Sequence, residues 1–186
     1  MTTRRAFLTA ATAFMAAPAA LRAGQVPADM DPRFKAQIVP IKREFAAGEI
    51  HVTPWNHYLY YTLGNGQAIR YGVAVGAEGR TFSGVAEVGR KAKWPRWTPT
   101  QDMIAREPEK YAKHAGGMAG GPDNPLGARA LYLYQNGNDT LFRIHGTPQP
   151  WTIGQSVSSG CIRMVNAHVE HLYDKVPVGA TVRVYA

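Results

Sequence analysis

The chain holds a single cysteine, Cys161, among its 186 residues. No intramolecular disulfide can form, so the folded state must rest on its apolar core. Long hydrophobic runs are lacking too. The one uncharged apolar stretch, 9–21, falls short of the roughly 20 residues that cross a bilayer, and nothing after it approaches that length. Charged residues make up only 18% of the chain. The basic ones form no long block, which argues against nucleic acid as a partner. There are no internal repeats, no low-complexity tract and no βαβ units.

What is present begins at the N-terminus. Residues 1–23 read as a Tat-type signal peptide: the twin arginine Arg4-Arg5, the apolar pair Phe7-Leu8, an alanine-rich run, and small residues at Ala17-Pro18-Ala19 or Ala23-Gly24 as candidate cleavage positions. This pattern predicts export to the periplasm, with no membrane span left after cleavage. An uncleaved helical anchor is the weaker reading, because the segment is weakly hydrophobic and contains Pro18. Removing Arg4, Arg5 and Arg22 lowers the net charge from +8 to +5. That excess suits either attraction to anionic polymers such as cell wall or lipid headgroups, or a plainly basic soluble protein. An unpaired thiol in an oxidising compartment is a liability, and a protein that keeps one has reason to use it.

Residues 24–47 read as a linker ending in a short helix before Gly48, and residues 48–186 as one domain. Within it, aromatic and β-branched runs at 57–63 and 68–75 predict strands, and Asn65-Gly66 between them is a strong hairpin signal. Further strands are predicted near 84–91, 130–134, 140–144 and 181–184, with a turn at 136–139. The segment Trp94–Thr100 either lines a groove or is a loop pinned by its tryptophans. Thr98 reads as a helix N-cap, with Pro99 at the first helical position and Gln101 closing a capping box; that helix should end near Glu107. The glycine-rich stretch 116–127 is no phosphate loop, since no Lys-Ser/Thr pair follows it. It reads as a surface loop. Asn166 is expected to cap a helix from Ala167 to Lys175. The class is mainly β with a few short helices.

The chemistry concentrates in two stretches, Arg143-Ile144-His145-Gly146-Thr147 and Ser158-Ser159-Gly160-Cys161-Ile162-Arg163-Met164. A thiol becomes a useful nucleophile when it ionises, and a nearby imidazole is the usual means. Gly160 frees the backbone to present amide N–H groups to a reacting carbonyl. If the segment is extended, Ser159, Cys161 and Arg163 share one side, with Ile162 and Met164 on the other. Arg163 then either lowers the thiol pKa or holds a substrate carboxylate, unless it forms an ordinary ion pair. Ser159 bonds the histidine or a substrate, or caps a turn. His145, at a strand end, is placed as a general base. A zinc reading would join His145 to His168 and His171, three apart on the last helix, but no acid–base motif accompanies them.

The pattern His145-Gly146-Thr147 followed by Ser159-Gly160-Cys161-Ile162-Arg163-Met164 resembles the signature of the L,D-transpeptidase catalytic (YkuD-like) domain of bacterial cell-wall enzymes. The likeness covers most of residues 49–185, including the early hairpin, the Trp94–Thr100 segment and Asn124-Pro125-Leu126-Gly127. It implies a β-sandwich in which Cys161 is the nucleophile and His145 the general base, Gly160 and its neighbours supply backbone groups, Arg163 stands beside the nucleophile, and neither metal nor cofactor is needed. The implied substrate is the peptidoglycan stem tetrapeptide. Release of D-alanine is followed by transfer of the acyl group to an amine, either of another stem peptide to give a 3→3 cross-link, or of a wall-anchored lipoprotein. A related cysteine hydrolase acting on wall cross-links or wall–protein linkages uses the same residues, and a non-catalytic wall-binding module is a third class. One departure stands out: Ser159 occupies a position where many members carry histidine.

Overall fold

The computed structural model describes residues 26–77, 80 and 82–186; the signal peptide read at residues 1–23 lies outside the described residues. The strands are β1 (Gln37–Pro40), β2 (Ile50–Thr53), β3 (Tyr58–Gly64), β4 (Gln67–Gly72), β5 (Val75–Gly76), β6 (Gly84–Lys93), β7 (Arg129–Gln135), β8 (Asn138–His145), β9 (Ser156–Ser158), β10 (Ile162–Arg163) and β11 (Thr181–Val184). Three helices accompany them: α1 (Gln101–Arg106), α2 (Pro108–Tyr111) and α3 (Asn166–Lys175).

Two Asn-Gly turns make the tightest hairpins. Asn65 and Gly66 join β3 to β4 with φ of +54° and +77°, and Asn136 and Gly137 join β7 to β8 with φ of +51° and +76°. Both pairs take the left-handed conformation that matches strand twist, and Asn and Gly are the residues that tolerate it.

Nine strands form one sheet in the order β1-β4-β3-β2-β11-β6-β7-β8-β10, and β5 pairs with β9 in a second, two-stranded sheet. Neighbours are antiparallel except β2 with β11, β8 with β10, and β5 with β9. Both ends of the large sheet share one core. Tyr71 of β4 lies fully buried with its hydroxyl 2.8 Å from His171 Nδ1 on α3, while Val169 and Leu172 of the same helix join Leu131 and Ile144 of β7 and β8. Burying each such aliphatic side chain stabilises the fold by about 1.5–3 kcal/mol.

Three expectations need correction. Of the segment read as a linker, the described residues 26–47 pack against the domain. β1 pairs along β4 from Gln37 opposite Arg70 to Pro40 opposite Gln67, and the Phe34 ring wedges between two glycines: a Cβ on Gly72 would come within 2.3 Å of Phe34, and one on Gly154 within 2.4 Å. Residues 41–49 form turns rather than a helix. The N-cap of α1 is Thr100, whose hydroxyl accepts from Met103 N–H at 3.2 Å. Thr98 cannot serve, because Thr100, which would then be the second helical residue, is itself extended at φ −71° and ψ 160°. Asn166 is the first residue of α3 rather than its cap. Its Oδ1 accepts instead from Ala128 N–H at 3.0 Å, lying where a Cβ on Gly127 or on Gly146 would have to be.

The excursion between β6 and β7 carries its own small core. Trp97, Tyr111 and Leu126 pack together with Met103, Ile104 and Met118. Trp97 meets Tyr111 with ring centroids 6.2 Å apart. This cluster stands as a wall facing the C-terminal end of β8.

Candidate active site

β8 and β10 are adjacent and parallel, with Ile144 opposite Ile162 and His145 opposite Arg163. One face of this pair, Ile144, Ile162 and then Met164, is buried in the core. The other face carries Arg143, His145, Cys161 and Arg163. The alternation expected from the sequence holds from Cys161 to Met164 but not through Ser159 and Gly160, where the chain bends; Cys161 and Arg163, both half-buried, line a cleft of about 370 Å³ together with His145 and Ser159. The opposite wall comes from Trp97, Tyr111 and Lys110. Trp97 thus both pins its loop and lines the groove.

His145 is 4% exposed, so water does not set its protonation. Its Nδ1–H donates to the Gly146 carbonyl at 2.5 Å, which leaves Nε2 as the acceptor nitrogen of a neutral ring. Burial foremost, then the charges of Arg163 and Arg143, push its pKa down to about 3, against the opposing pull of the Gly146 carbonyl. Burial also pushes the Cys161 thiol up. The Arg143 backbone N–H and the positive charges of Arg143 and Arg163 pull it down in part, and Asp139 pushes it up further. At rest both groups are therefore neutral, and the thiol is directed at the Leu141 carbonyl oxygen 4.0 Å away.

The loop around Cys161 is held from within. Ser158, 1% exposed, donates its hydroxyl to the Cys161 carbonyl at 2.6 Å and accepts from Gly160 N–H at 3.1 Å. Gly160 adopts φ of +133°, a region that only glycine enters readily. A Cβ there would come within 2.7 Å of the Phe142 ring and 2.8 Å of the Arg80 carbonyl. Its N–H is committed to Ser158, so its contribution is conformational. Sequence reasoning passed over Ser158, a serine beside another serine. Its burial in β9 is the distinguishing signal, visible only after folding.

Ser159 Oγ accepts from Arg106 Nη2 of α1 at 3.3 Å. The serine thus bonds neither His145 nor a turn, and Arg106 is a second residue the sequence did not single out. The Arg163 guanidinium faces the cleft, and burial lowers its pKa while Cys161 and Tyr111 raise it. His168 and His171 lie elsewhere, against Tyr71 with ring centroids 5.6 and 5.9 Å away. Among the described residues no group of three or more His, Cys, Asp or Glu is arranged to hold a metal ion, so the three histidines of the zinc reading are not brought together. No helix among them is long and apolar enough to cross a membrane.

The family model of the L,D-transpeptidase catalytic domain (YkuD) matches residues 47–184. The chain belongs to that family. It is similar to the probable L,D-transpeptidase YbiS of Escherichia coli (strain K12), 36% identical over 126 residues covering 67% of this chain and 40% of that protein. It thus spans about 40% of the length of such curated L,D-transpeptidase relatives. Among solved structures, it resembles a Brucella melitensis protein named a probable carnitine operon oxidoreductase, at 49% identity and a TM-score of 0.58 over 81% of this chain and 92% of that one. An L,D-transpeptidase from Mycobacterium smegmatis aligns at a TM-score of 0.54 over 74% of this chain and 58% of that one. At 19% identity it supports the fold alone. The oxidoreductase name does not carry over to an L,D-transpeptidase-family chain whose main sheet is mostly antiparallel and lacks the βαβ units of dinucleotide-binding folds.

Proposed function

We propose that this chain is an exported cysteine acyltransferase that acts on peptidoglycan stem peptides as an L,D-transpeptidase. Residues 1–23 serve as its Tat-type export signal to the periplasm, and 48–186 as its catalytic domain. The observation that carries the reading is that His145 at the end of β8 and Cys161 immediately before β10 line one cleft, with the histidine tautomer fixed by Gly146, in a chain of this family.

The chemistry follows from a neutral pair. Cys161 Sγ attacks the carbonyl carbon of the third stem residue as its proton passes to His145 Nε2, so the thiolate exists only as the C–S bond forms. Backbone amides beside Gly160 stabilise the oxyanion. The tetrahedral intermediate collapses, the C–N bond breaks, and the imidazolium returns its proton to the departing D-alanine amine. The resulting thioester is attacked by an acceptor amine, whose proton His145 takes and then returns to sulfur. Arg163, half-buried with its guanidinium in the cleft, holds a substrate carboxylate. Ser159, braced by Arg106, shapes the wall beside the nucleophile. The acceptor is the amine of a second stem peptide, giving a 3→3 cross-link, or a lysine of a wall-anchored lipoprotein.

The test is the intact mass of the mature protein with a carbapenem, wild type beside Cys161→Ser, followed by product analysis with a disaccharide-tetrapeptide. An adduct on the wild type alone together with 3→3 dimers is expected. An adduct with only tripeptide assigns the chain to the hydrolases, and no thiol-dependent adduct removes Cys161 from the mechanism.

A further inference from the structure

Between its pairings with Tyr134 and Tyr132, β8 departs from a regular ladder. Asp139 pairs with Tyr134 and Arg143 with Tyr132, so Thr140, Leu141 and Phe142 together stand opposite the single residue Leu133. The two extra residues form a bulge. Leu141 within it adopts φ of +62° and is 62% exposed. Leucine has neither the conformational freedom of glycine nor a buried contact here to favour the left-handed region.

Side chains hold this conformation in place. Asp139 Oδ1 accepts from Leu141 N–H at 2.8 Å. Arg143 grips the same carboxylate with two parallel bonds, Nη1 to Oδ1 at 2.6 Å and Nη2 to Oδ2 at 2.9 Å. Its guanidinium also lies over the Tyr132 ring, 4.4 Å from the centroid. Thr140 Oγ1 donates to the Leu133 carbonyl at 2.7 Å and accepts from Phe142 N–H at 3.2 Å. The carboxylate of Asp139 is thus the point at which both ends of the bulge are tied.

Each bulge residue after Thr140 meets the cysteine loop. The Leu141 carbonyl oxygen lies 4.0 Å from Cys161 Sγ. The Phe142 ring packs where a Gly160 Cβ would lie, 2.7 Å away. A ladder without the two extra residues would keep its faces but lose the local bend and twist that carry these groups to the cysteine loop.

We infer that Asp139 is a positioning residue for Cys161: by fixing the Thr140–Phe142 bulge it sets the carbonyl and the ring that orient the sulfur for attack. The inference rests on the reading of Cys161 as the nucleophile. Charge alone makes the opposite forecast. The Asp139 carboxylate disfavours a thiolate at Cys161, so a purely electrostatic role would make its removal accelerate the reaction.

The experiment compares wild type with Asp139→Asn, Asp139→Ala, Leu141→Gly and the double variant Asp139→Ala/Leu141→Gly. It reads the second-order rate of carbapenem acylation by intact mass and the 13Cβ resonance of Cys161 by NMR. Asp139→Ala should be acylated about tenfold more slowly with the Cys161 resonance displaced, since a misplaced nucleophile loses reactivity steeply. Asp139→Asn keeps an oxygen for Leu141 N–H and should stay within about twofold of wild type. In the double variant, glycine adopts the left-handed conformation without a cap, so the rate should recover to within about threefold and the resonance should return. Acylation of Asp139→Ala at or above the wild-type rate, an unmoved resonance, or a loss that Leu141→Gly does not relieve would overturn the inference. If wild type itself takes up no carbapenem, the transpeptidase reading fails. The resonance then still decides whether Asp139 governs the sulfur's surroundings.

Discussion

Arg106 donates to the Ser159 hydroxyl at 3.3 Å, so the helical wall of the cleft and the cysteine loop are bonded directly. Arg106→Ala and Ser159→Ala should each slow carbapenem acylation about threefold, as expected for one hydrogen bond at a partly solvated site. Because the two side chains act as a unit, the double variant should be no slower than either single one. Additive losses would show that the residues act separately.

Gly160 offers a sharper test. An alanine methyl at φ of +133° would meet the Phe142 ring at 2.7 Å and the Arg80 carbonyl at 2.8 Å. Gly160→Ala should therefore lose at least about 100-fold in acylation, the size of effect that misplacing a nucleophile by an ångström produces. Trimming Phe142 to alanine in that background should not restore it, since the backbone obstacle remains. Acylation rates with circular dichroism as the folding control settle the matter.

The neutral resting pair has a pH signature. Burial raises the Cys161 pKa above its ordinary value and lowers that of His145 to about 3. Thiolate absorbance near 240 nm should therefore rise only at pH above the usual thiol range, with no step between pH 6 and 7. His145→Ala should abolish acylation at pH 7 while leaving Cys161 open to iodoacetamide at high pH. A thiolate signal already present at pH 6 would instead indicate an ion pair at rest.

Stability should fall in acid through two histidines. His168, 1% exposed beside Tyr71, has its pKa pushed down to about 4 by burial and then by the His171 charge; His145 is pushed to about 3. The unfolded chain binds these protons near the ordinary histidine value. The stabilising contribution is therefore complete above about pH 6.5 and is lost as the pH falls toward the folded-state values, at about 1.4 kcal/mol per pH unit for each group. His168→Gln should remove about one proton's worth of that slope in urea unfolding between pH 7.5 and 5.0. An unchanged slope would place the titrating groups elsewhere.

The sequence made the local signals plain and hid the distant ones. Asn65-Gly66 and Asn136-Gly137 specify their turns by backbone preference alone, and the alternation at 161–164 was legible because it depends on strand pleat, whereas the bend at Ser159 and Gly160 was not. β1 was missed because four residues ending in proline look like a linker until β4 comes alongside. Thr98 and Asn166 carry the right chemistry for caps. The first is passed over because the chain stays extended through Thr100, and the second is drawn to an amide 38 positions away. Asp139 read as a turn residue, and its grip on Arg143 could not be foreseen without the bulge between them.

The two margins of the nine-stranded sheet are β1 and β10, and both are poor templates for another chain. The outer edge of β10 is already covered, because Arg163 exchanges both its backbone bonds with Ala74 at 2.9 and 2.8 Å, and β1 ends in Pro40, which has no amide hydrogen to give. A neighbouring molecule arriving at either border finds too few donors and acceptors to zip onto. The protein can thus carry its cysteine beside the rim of its largest sheet without that rim seeding a fibril.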